Sequence, residues 1–281
     1  MKEKAKKTDE NTRKTNPKKT IEIVHEELSQ YDKVIENLFF KKCPKENFEK
    51  TTEFPFLKTE LVESCKSLGI TANNVPDIIY TYRSRSDFPE KILKTGNWII
   101  EPRGKGKYAF VKINKSPFIA IQDGLSEIEI LNSLPELVED YSAEDEQGLL
   151  SSIRYNRLID IFSKVTCFPL QSHIRTTIKN KGQIEIDEIY VGIDREGKKY
   201  IFPLEAKSPQ ERDKLGWVQI TSMVEFAKQN FPDLICRPIC AKPIDRNRIF
   251  LIEFKNTTEI NENGIKEIRL YHLIRKKSGS S

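Results

Sequence analysis

Apolar residues recur at spacings of three and four positions in the first third of the chain. The pattern over residues 28–41 predicts an amphipathic helix, and a shorter helix follows over 60–68, with Thr59 as its N-cap. A turn signal that contains Pro76 precedes a third helical segment at 78–85. The spacing therefore predicts three short helices joined by loops.

Two strand-like runs follow these helices, at residues 98–101 and 108–113. The segment between them, 102–107, is rich in glycine and basic residues, which predicts a β-hairpin with a basic tip. Three helices followed by a basic hairpin are typical of a winged-helix module. The alternative is a small helical domain whose charged turn has no role in binding.

Aromatic and basic side chains are interleaved in the third helical segment, and the hairpin tip is basic. Arginine suits both phosphate groups and the edges of guanine. We therefore predict that residues 21–115 form a winged-helix-like DNA-binding domain. Its candidate DNA contacts are Tyr82, Arg83, Arg85, Arg103, Lys105 and Lys107.

The second half of the chain alternates between strand and helix patterns. Residues 116–140 carry turn signals and are predicted to be a connector to a domain at 141–275, which opens with a helix capped by Ser142. A further helix is predicted over 215–229. Because helices lie among the strands, we predict an α/β domain with a central mixed sheet flanked by helices. The strands are predicted at 173–178, 184–193, 200–207, 234–240, 248–254 and 267–273.

One predicted β-hairpin carries the candidate chemistry. Asp194 and Gly197 fit the first and last positions of a type I turn, so the numbers of paired residues should add up to 392. This register places Asp187 opposite Glu205. Because strand side chains alternate between faces, Lys207 projects from the same face as both carboxylates.

Two features of the hairpin leave the membership of this cluster open. Glu185 lies on the same face and could join the carboxylates. Pro203 cannot donate to a β-ladder, so it indicates an edge strand or a bulge. A bulge would shift the pairing by one position and place Glu188, instead of Asp187, opposite Glu205.

Two opposed carboxylates repel each other unless a cation lies between them. Mg²⁺ binds one or two carboxylates and completes its shell with water and phosphate oxygens, so Asp187 and Glu205 are candidate metal ligands. The cation would stabilise charge on a scissile phosphate, and Lys207 could position the attacking water. The cluster predicts phosphodiester hydrolysis. The alternative is structural pairing on a solvated strand, since acid–x–Lys triplets arise by chance in a chain with 32% charged residues.

Charge and composition indicate where a DNA site could lie and which cellular compartment the protein occupies. The net charge is +5, and residues 1–20, a predicted disordered basic tail, account for all of it, so a DNA site must come from local patches. Residues 276–281 are a second predicted tail. No apolar run reaches the roughly 20 residues needed to cross a bilayer, and the Lys-rich N-terminus lacks the apolar core of a secretory signal. With five cysteines and no C-x-x-C pair, we expect a reduced, cytoplasmic protein without membrane association.

Asp187, an intervening hairpin and Glu205-Ala-Lys207 together resemble the D…(D/E)-x-K signature of the PD-(D/E)XK nuclease superfamily, typified by type II restriction endonucleases. Ile186 stands where the family name places a proline. The resemblance implies a restriction-endonuclease-like mixed sheet, dependence on Mg²⁺ and cleavage of double-stranded DNA. Asp187, Glu205 and Lys207 inherit the roles of the two catalytic acids and the catalytic lysine.

The resemblance covers roughly residues 140–275 and, more loosely, 31–115. Many of these enzymes place a further glutamate on the helix before the hairpin, so Glu146 is a candidate catalytic residue, with Glu144 as the second choice. Gln219, on the later helix, is a candidate contact with the site or with DNA. For both glutamates the alternative is that they are only favourable acids in the first turn of a helix.

The prediction that follows is a sequence-specific type II restriction endonuclease. Cutting both strands of a symmetric site suggests a homodimer, and a cognate DNA methyltransferase is expected as a separate protein. One alternative is a structure-specific repair or recombination nuclease of the same fold. Another is a non-catalytic DNA-binding regulator, in which residues 31–115 are the active part.

Overall fold

The chain folds as a mixed α/β structure with a central mixed sheet flanked by helices. The computed structural model describes residues 28–43, 50–71, 75–121, 124–179, 181–211 and 213–275. The two predicted tails, and residues 21–27 of the predicted first domain, lie outside the described residues. Within these ranges no helix is both long enough and apolar enough to span a bilayer.

The first part of the chain packs helices against a three-stranded antiparallel sheet of order β1-β3-β2. Phe39 on the first helix makes edge-to-face contacts with Phe54, Trp98 and Phe110, which fill the space between helices and sheet. The elements are α1 (Gln30–Lys42), β1 (Glu53–Leu57), α2 (Lys58–Ser67), α3 (Val75–Ser84), α4 (Glu90–Leu93), β2 (Asn97–Pro102) and β3 (Lys107–Ile113).

Strand β1 occupies a segment that the sequence pattern assigned to a loop. Phe54 and Phe56 point inward and are buried, while the residues on either side of them are exposed. Pro55 lies between them on an edge strand of the sheet. An edge strand tolerates proline because one side of its backbone needs no ladder partner.

The second part of the chain forms an eight-stranded sheet of order β4-β11-β10-β9-β7-β6-β5, in which β8 also pairs with β7. Strand β7 is parallel to β8 and β9, and β4 is parallel to β11, whereas the other neighbours are antiparallel. One apolar cluster lies on the α8 side and another on the α6 and α7 side. The elements are β4 (Glu127–Leu131), α5 (Glu136–Tyr141), α6 (Glu146–Tyr155), α7 (Leu158–Ser163), β5 (Thr166–Ile178), β6 (Gly182–Ile193), β7 (Lys199–Ala206), α8 (Trp217–Asn230), β8 (Ile235–Cys236), β9 (Ile239–Pro243), β10 (Arg248–Phe254) and β11 (Ile265–Ile274).

The segment predicted to be a connector, 116–140, contains β4 and the start of α5. Strand β4 pairs with β11 and forms one edge of the large sheet. Its sequence, Glu-Ile-Glu-Ile-Leu, alternates polar and apolar residues as a strand does, although four of the five residues are exposed. The turn signals on either side of this short run led to its assignment to the connector.

Two predicted helix caps are wrong. At α2, Thr59 lies inside the helix, and the Glu60 carboxylate accepts the amide of Leu57 at 2.7 Å. At α6, the cap is Asp145 instead of Ser142, and its carboxylate accepts two amides of the first turn. In both cases a carboxylate accepts the free amides at the start of the helix. A charged acceptor binds these amides more strongly than a hydroxyl does.

The predicted turn and register of the β6–β7 hairpin are confirmed. The amide of Gly197 donates to the carbonyl of Asp194 at 3.1 Å, and Gly197 has a φ of +80°, a conformation that favours glycine. The paired residues run from Ile193 with Lys199 down to Glu188 with Leu204, and their numbers add up to 392 throughout.

Pro203 lies inside the sheet, so the prediction that it marks an edge strand or a bulge is wrong. The Arg237 amide donates to the Ile201 carbonyl at 2.9 Å, so the backbone groups of Ile201 face β8. Because backbone direction alternates along a strand, Pro203 also faces the side of β8 and β9. Pairing on that side stops at Cys236 and resumes at Ile239. The missing N–H of Pro203 falls in this gap.

The two parts of the chain share an interior. Ile99 of β2 and Ile113 of β3 belong to the same apolar cluster as the buried face of α8. The end of α3 meets the start of α8, because a Cβ added to Gly216 would lie 3.2 Å from the carbonyl oxygen of Arg83. Separating the two parts would therefore expose apolar surface on each of them.

Candidate active site

A cleft of about 840 Å³ lies between the end of α3 and the open ends of β6 and β7, and we call it the central cleft. It is lined on one side by Arg83 and Arg85, from α3 and the turn that follows it. Its other side gathers residues that are far apart in the sequence. These are Glu146, Asp187, Glu205, Lys207 and Gln219.

Asp187 and Glu205 lie at the end of the hairpin ladder. The last paired residues are Glu188 and Leu204, so the same register continues to Asp187 opposite Glu205. The Oδ2 atom of Asp187 accepts the amide of Ala206 at 2.7 Å. A side-chain carboxylate thus takes the place of the next backbone acceptor and turns the ladder end into part of the cleft wall.

Glu205 is held through a single carboxylate oxygen. Its Oε1 accepts hydrogen bonds from Lys207 Nζ at 2.8 Å and from Gln219 Nε2 at 2.6 Å. The Gly216 amide donates to Gln219 Oε1 at 3.1 Å, which fixes the orientation of that side-chain amide. Among the described residues none donates to Glu205 Oε2 or to Asp187 Oδ1. Each carboxylate therefore keeps one oxygen for a ligand in the cleft.

Asp213 is a further acid in the cleft that the sequence pattern does not single out, because it lies in a loop without periodicity. Its Oδ1 lies 3.5 Å from Lys207 Nζ. Burial by itself lowers the pKa of Lys207, but the carboxylates of Glu205 and Asp213 outweigh burial and hold that pKa above its ordinary value. Lys207 is therefore a fixed cation in the ligand-free protein.

Two acids of the cleft, Asp187 and Glu146, are destabilised in their ionised form. Burial raises the pKa of Asp187 to about 8, and the charge of Glu205 adds to the effect. Burial also raises the pKa of Glu146, with a contribution from Asp213. Since the pKa of Asp187 is higher in the folded than in the unfolded chain, its ionisation opposes folding, and stability falls between the ordinary value of 3.8 and about 8. A bound cation would offset this repulsion.

Glu188 lies on the opposite face of β6, so the alternative in which it replaces Asp187 is wrong. Its carboxylate is fully buried and accepts hydrogen bonds from Arg154 Nε at 2.6 Å and from the Tyr190 hydroxyl at 2.9 Å. Arg154 belongs to α6, whose first residue is Glu146. The ion pair thus ties the helix that carries Glu146 to the hairpin that carries Asp187.

The acids whose membership was left open divide between the cleft and its surroundings. Glu146 lines the central cleft, whereas Glu144 lies in a separate hollow beside α5 and α6. Glu185 also lines the cleft, but it is exposed and forms an ion pair with Arg175 at 3.1 Å. Glu146 is therefore the better placed of the two helix-start glutamates.

One predicted DNA contact is wrong. Tyr82 is buried in the core of the first part, where its ring stacks on Phe88 at a centroid distance of 5.3 Å. Its hydroxyl donates to Asp32 at 2.8 Å. The helical phase of α3 turns this aromatic ring away from solvent, which the interleaved sequence pattern could not reveal.

The basic residues of the β2–β3 hairpin tip lie apart from the central cleft. Lys105 and Lys107 are exposed, and Arg103 forms ion pairs with Glu53 and Glu101. Of the described residues that line the cleft, none comes from this tip. The predicted DNA contacts thus form two groups, one at the tip and one, Arg83 with Arg85, inside the cleft.

The free carboxylate oxygens fit a magnesium ion. Nowhere in the described ranges do three or more acidic, histidine or cysteine side chains converge to hold a metal by themselves. Mg²⁺ does not need such a cage, because it retains several waters and binds through one or two carboxylates and substrate phosphates. Asp187 and Glu205 provide that minimum set. The thiols of Cys236 and Cys240 are free and buried, and burial raises their pKa, so neither resembles a thiolate ligand.

None of the family models, curated proteins or solved structures compared with this chain matches it.

Proposed function

We propose that this chain is a Mg²⁺-dependent endonuclease of the PD-(D/E)XK kind that hydrolyses phosphodiester bonds in double-stranded DNA. One observation carries the proposal: Asp187, Glu205 and Lys207 meet in one cleft, and each carboxylate keeps an oxygen to which no described residue donates. The most specific form of the proposal is a type II restriction endonuclease, with Asp187 and Glu205 as metal ligands.

Each residue of the cluster would have a separate role in hydrolysis. A bound Mg²⁺ would stabilise charge on the phosphate and lower the pKa of a water molecule. Asp187 and Glu205 would hold the cation through their free oxygens. Lys207 would orient the attacking water and balance the negative charge of the phosphate. Gln219 is a positioning residue, because its hydrogen bond fixes the Glu205 carboxylate.

Glu146 is assigned a supporting catalytic role. It lies at the start of α6 and lines the same cleft as Asp187. The pKa of its carboxyl is raised by burial and by the charge of Asp213, which makes Glu146 a better proton acceptor than a solvated glutamate. Glu146 would accept the proton that the attacking water loses.

We also propose that the first part of the chain is a winged-helix-like DNA-binding domain. Four helices, of which α4 has only 4 residues, precede the β2–β3 hairpin, and the hairpin together with the sheet order β1-β3-β2 supports this assignment. The exposed Lys105 and Lys107 at the hairpin tip suit phosphate contacts. For a symmetric recognition site, the working form would be a homodimer, with a cognate DNA methyltransferase as a separate partner.

Incubation with unmethylated phage DNA and Mg²⁺ is expected to yield discrete fragments, and a chelator is expected to abolish cleavage. Ca²⁺ should support DNA binding without turnover, because its looser coordination misplaces the water. Gel electrophoresis measures cleavage, and a mobility shift measures binding. Fragments produced after exhaustive removal of metal would exclude the proposed mechanism. A continuous smear in place of bands would exclude a sequence-specific restriction enzyme but not a nuclease.

Replacing Lys105 or Lys107 with alanine is expected to weaken binding to all duplex sequences alike. Each lost phosphate contact should reduce the slope of log K against log salt by about one. The measurement is a salt titration of binding to two unrelated duplexes in Ca²⁺. Lys164→Ala, at the exposed C-terminal end of α7 in the second part, is the matched control. An unchanged salt slope in both tip variants would remove the hairpin from the DNA-binding surface.

A further inference from the structure

Arg83, at the junction of the two parts of the chain, is a cation that has no ionic partner among the described residues. Its Nε atom is completely buried and has no hydrogen-bond acceptor in the described structure, and the residue lines the central cleft. Burial lowers the pKa of the guanidinium, and the nearby Tyr108, Tyr80 and Glu101 offset only part of that effect.

Other largely buried arginines of the described chain are paired. Arg237 donates to both oxygens of Glu253 at 3.0 and 2.6 Å, and Arg154 donates to Glu188 at 2.6 Å. Among the described acids, none forms an ion pair with Arg83. Because an unpaired buried charge destabilises the fold, the lack of an ionic partner among the described residues leaves Arg83 available to an anionic ligand in the central cleft.

The position of Arg83 identifies where that partner would lie. Its backbone carbonyl abuts Gly216, whose amide donates to Gln219, and Gln219 in turn donates to Glu205. Arg83 and the carboxylate cluster therefore face one cleft from two parts of the chain. Next to Arg83, the guanidinium of Arg85 lies 4.6 Å from the centre of the exposed Tyr80 ring, which adds charge and an aromatic face to the same wall.

We propose that Arg83 binds a backbone phosphate of the strand that is cut, next to the phosphodiester held at Asp187 and Glu205. This inference rests on the proposed function in taking nucleic acid as the substrate. A nucleic-acid strand carries regularly spaced anions, so it can place one phosphate at the acid cluster and its cation while a neighbouring phosphate meets Arg83. The planar guanidinium would bind this phosphate through two hydrogen bonds from its Nη atoms, because Nε is sealed from solvent.

This placement changes the role of α3. Residues of a DNA-reading helix would be expected on an outward surface. Arg83 instead lines the central cleft, and its Nε is sealed from solvent. It therefore suits a phosphate inside the cleft better than a base edge in a distant groove. The first part of the chain would hold the substrate strand at the site of cleavage as well as through its hairpin tip.

The test compares Arg83→Met with the wild type, with Arg83→Lys and with Arg195→Met. Arg195 is an exposed residue of the β6–β7 turn, so Arg195→Met removes the same charge without touching the cleft. The first measurement is the unfolding temperature in chelator without ligand. Arg83→Met is expected to raise it by about 2 °C or more, because an uncompensated buried charge is lost, and Arg195→Met should leave it unchanged.

The second measurement is the Kd of a 5′-phosphorylated thymidine tetranucleotide in Ca²⁺, which supports binding without turnover. Arg83→Met is expected to weaken binding about tenfold or more, Arg83→Lys less, and Arg195→Met not at all. Absence of tetranucleotide binding by the wild type, or an unchanged Kd in Arg83→Met, would overturn the proposal. If Arg83→Met does not fold, a wild-type Kd in Arg83→Lys overturns it, because a point charge does not replace two guanidinium hydrogen bonds.

The two measurements also separate a structural role from a binding role. A lower unfolding temperature together with an unchanged Kd would show that Arg83 only stabilises the junction. Arg83-dependent binding in a wild type that cleaves nothing would retain the phosphate site and refute the nuclease. Metal-dependent cleavage with a Kd that does not depend on Arg83 would retain the nuclease and refute the phosphate site.

Discussion

Asp187→Asn is expected to lower the rate of DNA cleavage by roughly 100- to 10,000-fold, and Glu205→Gln by a similar factor. Either change keeps the shape of the side chain but removes the anionic oxygen that holds the cation. The loss corresponds to the several kcal/mol by which a metal ion stabilises a phosphoryl transition state. Lys207→Met should have an effect of the same order, because it removes the only ammonium group bonded to Glu205 in the described structure. The measurement is single-turnover cleavage at saturating Mg²⁺.

The matched control for these variants is Glu185→Gln. Glu185 belongs to the same strand and lines the same cleft as Asp187, but it is exposed and already paired with Arg175. Its replacement should leave the cleavage rate near that of the wild type. All variants should retain DNA binding in Ca²⁺, which excludes misfolding as the cause. Cleavage by both Asp187→Asn and Glu205→Gln at the wild-type rate would refute the assignment.

Much of the hairpin could be predicted because its determinants are local. Asp194 and Gly197 define the turn, and a turn of known length determines every pair in the ladder. Once the turn is known, the register of the ladder by itself places Asp187 opposite Glu205. The same reasoning failed at Pro203, because the missing N–H of this proline falls in the gap between β8 and β9. These strands lie more than 30 residues further along the chain.

The remainder of the site depends on contacts that no local pattern contains. Asp213 lies in a loop and enters the cleft because Lys207 and the amide of Ser208 bind its two oxygens. The burial of Tyr82 in the core of the first part and the exposure of Arg83 to the cleft both follow from the rotation of α3 about its own axis. Such rotations are set by packing between distant segments, which a single sequence does not display.

Arg154→Met is expected to lower the free energy of unfolding by about 3 kcal/mol. It would leave the fully buried Glu188 carboxylate with the Tyr190 hydroxyl as its strongest donor. Breaking a buried ion pair costs about 3–5 kcal/mol, and the low end applies because a third of the Arg154 side chain remains in solvent. The measurement is urea-induced unfolding in chelator. Arg175→Met, which breaks the exposed pair with Glu185, is the control and should change stability by less than about 0.5 kcal/mol.

The decisive comparison is the double variant Arg154→Met with Glu188→Gln. A neutral amide needs no cation, so the double variant is expected to be more stable than Arg154→Met alone, although one more residue has changed. Equal or additive losses would show that packing, and not the buried charge, links α6 to the hairpin. Because α6 begins with Glu146, Arg154→Met should also shift the pH profile of cleavage, and the double variant should restore part of it. An ion pair on the opposite face of the sheet would then hold Glu146 in place beside Asp187.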